Sequence, residues 1–89
     1  MTRESRNIED FKIQLENHYE FPAEYLFKFI VPKSQADELK SLFPVGKISV
    51  KRSRTGKYVS VSCKMNMQTS SQIIDIYKKA YLINGIISL

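Results

Sequence analysis

The succession of hydrophobic patterns predicts an α+β domain: a short helix, then strand, helix, two strands, helix and a closing strand. Three observations carry this. Residues 25–31, 47–54 and 57–67 alternate aromatic or β-branched side chains with polar ones, the period of a pleated strand. Apolar residues spaced three and four apart follow the first and last of these runs, the period of a helix. Pro22, Pro32, Pro44, Gly56 and Gly85 fall at the joints between runs and not inside them.

Taken in order, Met1–Arg6 is polar and is expected to fray. Asn7 is placed to cap a short helix from Ile8, with Asp10 in its first turn and Ile8, Phe11 and Leu15 as its apolar stripe. That helix is expected to end near Asn17–His18. Pro22 biases Phe21 to an extended conformation, so Phe21–Pro22 is the joint into the body. Residues 1–20 therefore read as an arm and short helix, and residues 21–89 as the domain proper.

Tyr25–Val31 reads as a strand. Tyr25, Phe27, Phe29 and Val31 share the face expected to be buried, and Leu26, Lys28 and Ile30 share the wet one. Ser34 and Asp37 have the spacing of a capping box, and Ala36, Leu39, Leu42 and Phe43 follow at helical spacing until Pro44. In Lys47–Arg54, Ile48 and Val50 point one way and Lys47, Ser49 and Lys51 the other. In Lys57–Met67, Val59, Val61, Cys63, Met65 and Met67 oppose Tyr58, Ser60, Ser62, Lys64 and Asn66.

The turn between these two strands must have even length, because a one-residue slip exchanges the faces. A two-residue loop at Thr55–Gly56 pairs Val50 with Val61 and Ile48 with Cys63, but a type I′ turn would force β-branched Thr55 to positive φ. A four-residue loop, Ser53 to Gly56 with Gly56 left-handed, keeps the parity without that strain and is preferred. Thr69 and Gln72 then form a capping box for a helix whose buried stripe is Ile73, Ile76, Tyr77 and Ala80, flanked by Ile74 and Tyr81. Asn84–Gly85 breaks it, and Ile86–Leu89 is a short last strand. The order predicts a ferredoxin-like βαββαβ fold: a four-stranded antiparallel sheet with two helices on one face, preceded by the N-terminal helix. Tyr25, Phe27, Phe29, Val59, Val61, Cys63, Ile73, Ile76 and Tyr77 are its expected core.

Several of these residues also resemble a known family. Phe21–Pro22, Tyr25, Phe27–Lys28–Phe29–Ile30, Gly56–Lys57–Tyr58 with Ser60 and Val61, and Ile76–Tyr77 before a short closing strand resemble the YbeD-like family of small bacterial proteins, a domain of unknown function. The likeness runs from about residue 17 to 89. It implies a fold similar to the ACT regulatory domains, which often pair through their sheets or bind small effectors. It implies no established activity and brings no catalytic residues with it.

Composition narrows the function. At 89 residues there is room for one domain only. No apolar run approaches the ~18 residues of a membrane span, and no secretory leader pattern is present, so no membrane association is expected. The lone cysteine, Cys63, cannot form an internal disulfide, which fits the cytoplasm. His18 is the only histidine, which excludes a His-based metal motif, and no cofactor is expected. Cys63 on an apolar strand face behaves as a small hydrophobe. No Ser stands in a G-x-S-x-G setting, and Gly46, Gly56 and Gly85 are too far apart for a phosphate loop. The inventory predicts a protein that is not an enzyme.

Charge marks what remains. The chain carries a net +5, unevenly placed: residues 1–24 hold three bases and six acids, and residues 25–89 hold eleven bases and three acids. Such polarity serves an acidic partner, or lets the acidic segment lie near the chain's own basic surface. Lys47, Lys51, Arg52, Arg54 and Lys57 gather at one hairpin, a candidate anion-binding site whose ordinary alternative is a charged edge that stays soluble. Leu26, Lys28, Ile30 and Tyr58 form a candidate interaction face for an unknown protein partner or a second copy of the chain. The RNA-recognition mode is not expected. It needs two aromatics two residues apart on the exposed third strand, where this chain has Tyr58, Ser60 and Ser62. The expected role is a regulatory or protein-interaction module, with weak, sequence-independent binding of nucleic acid or another polyanion as the alternative.

Overall fold

The computed structural model describes residues 2–43 and 47–88, with side chains from Ile8 onward. Its elements are α1 (Thr2–His18), β1 (Ala23–Pro32), a 3-10 turn (Lys33–Gln35) running into α2 (Ala36–Lys40), β2 (Lys47–Arg52), β3 (Tyr58–Met67), α3 (Ser70–Ala80) and β4 (Ile87–Ser88). The chain is thus α+β, with three helices and an open, wholly antiparallel sheet in the order β2-β3-β1-β4.

The long pair β1–β3 sets the core. It runs from Ala23↔Met67 to Pro32↔Tyr58, so Phe27 stands beside Cys63, Phe29 beside Val61 and Val31 beside Val59 on one face. All six are buried, under α3 residues Ile73, Ile74, Tyr77 and Ala80 and the α2 side chain Leu39, with Phe43 closing one end. The alternation read from sequence holds here because one face of the sheet is covered and the other is not. Of the nine expected core residues, Tyr25 and Ile76 are only partly buried. Ile74, expected at the flank, is buried instead, so the inward stripe of α3 is rotated toward it.

Three local expectations are corrected. First, α1 begins at Thr2, and Asn7 lies inside it as no cap. Residues 2–7 have no apolar position that could show a helical period, yet Arg3, Glu4 and Arg6 are good helix formers. Second, Ser34 caps nothing: the chain enters α2 through the 3-10 turn, where the Ala36 N–H donates to the Lys33 carbonyl. Third, the hairpin has the register Val50↔Val61 and Ile48↔Cys63, yet its connection is longer than Thr55–Gly56. The Ser53 N–H donates to the Tyr58 carbonyl at 2.8 Å, which leaves Arg54–Lys57, not Ser53–Gly56, as the loop. Gly56 is left-handed (φ 77°), as expected, and its N–H donates to the Ser53 carbonyl at 3.1 Å. Widening the turn by one pair spares Thr55 the positive φ that a tight turn would impose.

The Thr69 cap forms as expected, its Oγ1 accepting the Gln72 N–H at 3.2 Å. Gln72 Oε1 in turn accepts the Gln68 N–H at 2.8 Å, one residue before the position a standard capping box uses. α1 packs on α3, away from the open side of the sheet. Leu15 is buried there, Phe11 meets Tyr77 edge-on at 5.2 Å, and Glu16 Oε2 accepts the buried Ser70 hydroxyl at 2.7 Å. The Phe21–Pro22 peptide that follows is cis. The closing strand is short, with Ile30↔Ile87 and Phe29↔Ser88 as its pairs. Gly46 and Leu89 lie outside the described residues.

Candidate functional site

The face of the sheet opposite the helices is laid out by the two registers in rows. One row reads Lys47, Lys64, Leu26 across β2, β3 and β1. The next reads Ser49, Ser62, Lys28, and the third Lys51, Ser60, Ile30, continued onto β4 by Ile87. Tyr58 ends the face beside Pro32. Leu26, Tyr58 and Ile87 are 47%, 44% and 54% exposed, well beyond what a covered sheet face shows.

The candidate residues therefore separate. The interaction face Leu26, Lys28, Ile30 and Tyr58 is one surface, and Lys47 and Lys51 of the hairpin join it. Arg52 pairs with Val59 on the helix side, and Arg54 and Lys57 sit in the turn, where the Lys57 carbonyl accepts the Lys33 N–H at 2.9 Å. Lys64 was missed by the hairpin grouping, which stopped at the turn. Its signal was present in the strand parity, since residues 58, 60, 62 and 64 share a face. Lys47 and Lys64 are direct cross-strand neighbours, and like charges so placed destabilise a sheet unless an anion lies between them. Among the described residues the one ion pair, Lys40–Asp37 at 3.9 Å, lies elsewhere.

Two hollows open on this face. One, of about 270 Å³, lies among Glu24, Lys47, Lys64 and Asn66. The other, of about 190 Å³, lies at the end of the sheet among Ile30, Lys51, Arg52, Ser53, Tyr58, Val59 and Ser60, and its surface is almost wholly apolar. A third cleft, of about 520 Å³, follows the seam of α1 and is lined by Phe11, Gln14, Leu15, His18, Tyr19 and Tyr25. His18 is exposed at its rim with no carboxylate among the lining residues, so the cleft holds no acid–base pair.

Buried titratable groups belong to the core. The Tyr25 and Tyr77 hydroxyls share a hydrogen bond of 3.0 Å. Burial raises both above the ordinary tyrosine range, and for Tyr77 the bond to Tyr25 raises it further. Burial likewise pushes the Cys63 thiol up, the direction of an inert cysteine. Groups raised in the folded state let the unfolded chain lose its protons first. Stability should therefore begin to fall above about pH 9, where the unfolded thiol loses its proton, and fall more steeply above about pH 10, the unfolded tyrosine range. Urea midpoints measured on either side of that value check this, and the double variant Tyr25→Phe/Tyr77→Phe should show a shallower fall. An equally steep decline in the variant would assign the effect to other groups.

Among the described residues no group of three or more His, Cys, Asp or Glu could hold a metal ion. None of the described helices is long and apolar enough to cross a membrane. The fold and the face together define a small α+β domain that presents one bare, basic sheet surface. A family model described as a protein of unknown function, DUF493, matches residues 16–86. The chain belongs to this family, that of the YbeD-like small proteins, as the resemblance of its residues implied. No curated protein and no solved structure matches it.

Proposed function

We propose that this chain is a non-enzymatic regulatory or interaction module, ferredoxin-like in its βαββαβ arrangement, that receives a negatively charged partner on the open face of its sheet. The order β2-β3-β1-β4 supports the fold reading, because it sets β1 between β3 and β4 with a helix in each crossover. One observation carries the functional reading: Lys28, Lys47, Lys51 and Lys64 share an uncovered face with exposed Leu26, Tyr58 and Ile87. Face-to-face pairing of two copies would oppose lysines to lysines, so the charge favours a different, acidic occupant over self-association there. Binding of a polyanion through the hairpin Lys47–Lys57 is the second reading. Lys47 and Lys51 support it by lying on the same face and Arg52 by lining the hollow beside Tyr58, while Arg54 and Lys57 sit in the turn.

The test is capture from an extract of the source cells on the immobilised chain. A partner should be retained by the parent and by Glu9→Lys/Asp10→Lys on α1, and lost from Leu26→Glu/Lys28→Glu. Equal recovery on all three would remove the open face as the site.

A further inference from the structure

We infer that the occupant of the open face is a single-stranded nucleic acid, its phosphates tracking the lysine rows and one unpaired base entering the hollow beside Tyr58. This rests on the proposed use of the open face and names the partner that uses it.

The rows succeed one another every ~7 Å, two residues along a strand. Each contains at least one lysine: Lys47 with Lys64, then Lys28, then Lys51. Between them stand Ser49, Ser62 and Ser60, neutral donors of the kind that join lysine in contacting phosphate oxygens. An anion seated at the first row would lessen the Lys47–Lys64 opposition; Glu24 lines the same hollow but forms no ion pair with either lysine. Of the acidic N-terminal segment, Glu24 stands on this face beside Lys47 and Lys64, but α1 packs against α3 on the other side of the sheet.

The track ends at the almost wholly apolar hollow, where the 44% exposed Tyr58 ring and Ile30 stand next to Lys51 and Ser60. A slot with an aromatic wall beside a cation suits a flat base with its phosphate. An acidic helix is the poorer fit, since Lys28 interrupts the apolar positions Leu26 and Ile30 along β1 and leaves no continuous stripe. A duplex is poorer still. Its bases are stacked away, and no described element rises from the open face to enter a groove. With one aromatic in place of a paired platform, the lysines supply most of the affinity and the base contributes a single contact.

The experiment is fluorescence anisotropy of labelled oligo-dT and oligo-U of about 12 nucleotides, a length within the usual span of such surfaces. Both should bind, and log K should fall against log salt with a slope of about −2, the value for three phosphates on a single strand. Lys28→Ala/Lys51→Ala, each the one lysine of its row, should shallow that slope by about 1.4, while Lys78→Ala/Lys79→Ala, an equal charge loss on α3, should leave it unchanged. Tyr58→Ala should weaken binding about tenfold, with Tyr58→Phe close to the parent. Equal slopes in the two lysine pairs would overturn the inference, and so would a Tyr58→Ala variant that binds as the parent does. Competition by a duplex of the same length as effective as unlabelled oligo-dT would also overturn it. Polyglutamate displacing the oligonucleotide as well as oligo-dT does would overturn it too, and would leave the acidic-partner reading standing.

Discussion

Phe27→Ala is expected to cost about 3–5 kcal/mol, as large-to-small changes in a packed core do. Phe27 is fully buried, with its ring 4.8 Å from Tyr25, 5.4 Å from Phe43 and 5.5 Å from Tyr77. Those neighbours come from β1, from the segment just after α2 and from α3, so the ring is where the sheet meets α3 and the chain leaving α2. A domain of this size has a total stability of about 5–10 kcal/mol, so one substitution here removes a large part of it. Urea unfolding followed by circular dichroism would measure the loss. Phe27→Leu, which keeps much of the volume, should lose far less, about 1.5 kcal/mol. A Phe27→Ala midpoint within error of the parent would show that the centre of packing lies elsewhere.

Gly85→Ala should cost about 2–3 kcal/mol, from two sources that a second variant separates. Gly85 has φ 77°, where an L side chain is strained by about 1–2 kcal/mol. A Cβ there would also stand 2.8 Å from Pro32 Cγ and 3.1 Å from Cδ, a stiff ring at the end of β1. Gly56 has the same φ with nothing within 4 Å of its would-be Cβ. Gly56→Ala therefore reports the backbone strain alone, about 1–2 kcal/mol. The excess at Gly85 is the collision with Pro32, and it should appear as faster amide exchange at Ile87 and Ser88, which pair with β1 next to it. Equal losses in the two variants would mean that the proline ring yields freely.

The reach of the sequence differed from element to element for physical reasons. Phe27, Phe29 and Val31 against Leu26, Lys28 and Ile30 announce a strand with one covered face, and parity alone tells which residues of β2 share a face with which residues of β3. Parity also puts Arg52 with Ile48 and Val50, away from Lys47 and Lys51, so the hairpin cluster was divisible from the sequence. The position of the four-residue loop was not legible, because Ser53–Gly56 and Arg54–Lys57 keep the same parity while setting Val50 opposite Val59 or Val61. The start of α1 was silent for want of apolar residues, and the rotation of α3 toward Ile74 follows from packing, which periodicity resolves only coarsely. The gathering of Lys28 with Lys64 depends on β1 lying beside β3. That is tertiary information, carried by no local spacing, and it is what assembles the candidate face.

Strand β2 is exposed at every residue and forms the outer edge of the sheet, with Ile48 and Val50 on its helix side left 36% and 45% bare. Unpaired edge amides beside apolar side chains are a template for sticking to another molecule. Lys47, Lys51 and Arg52 along the same strand would repel a second copy there, and repulsion has a range set by the solvent. In dilute buffer it acts over about 10 Å or more, but at about 1 M salt the screening length shrinks to roughly 3 Å, less than the distance between paired strands. Concentrated stocks of this protein should thus stay clear in dilute buffer and turn cloudy as salt is added, the reverse of the usual advice for handling a basic protein.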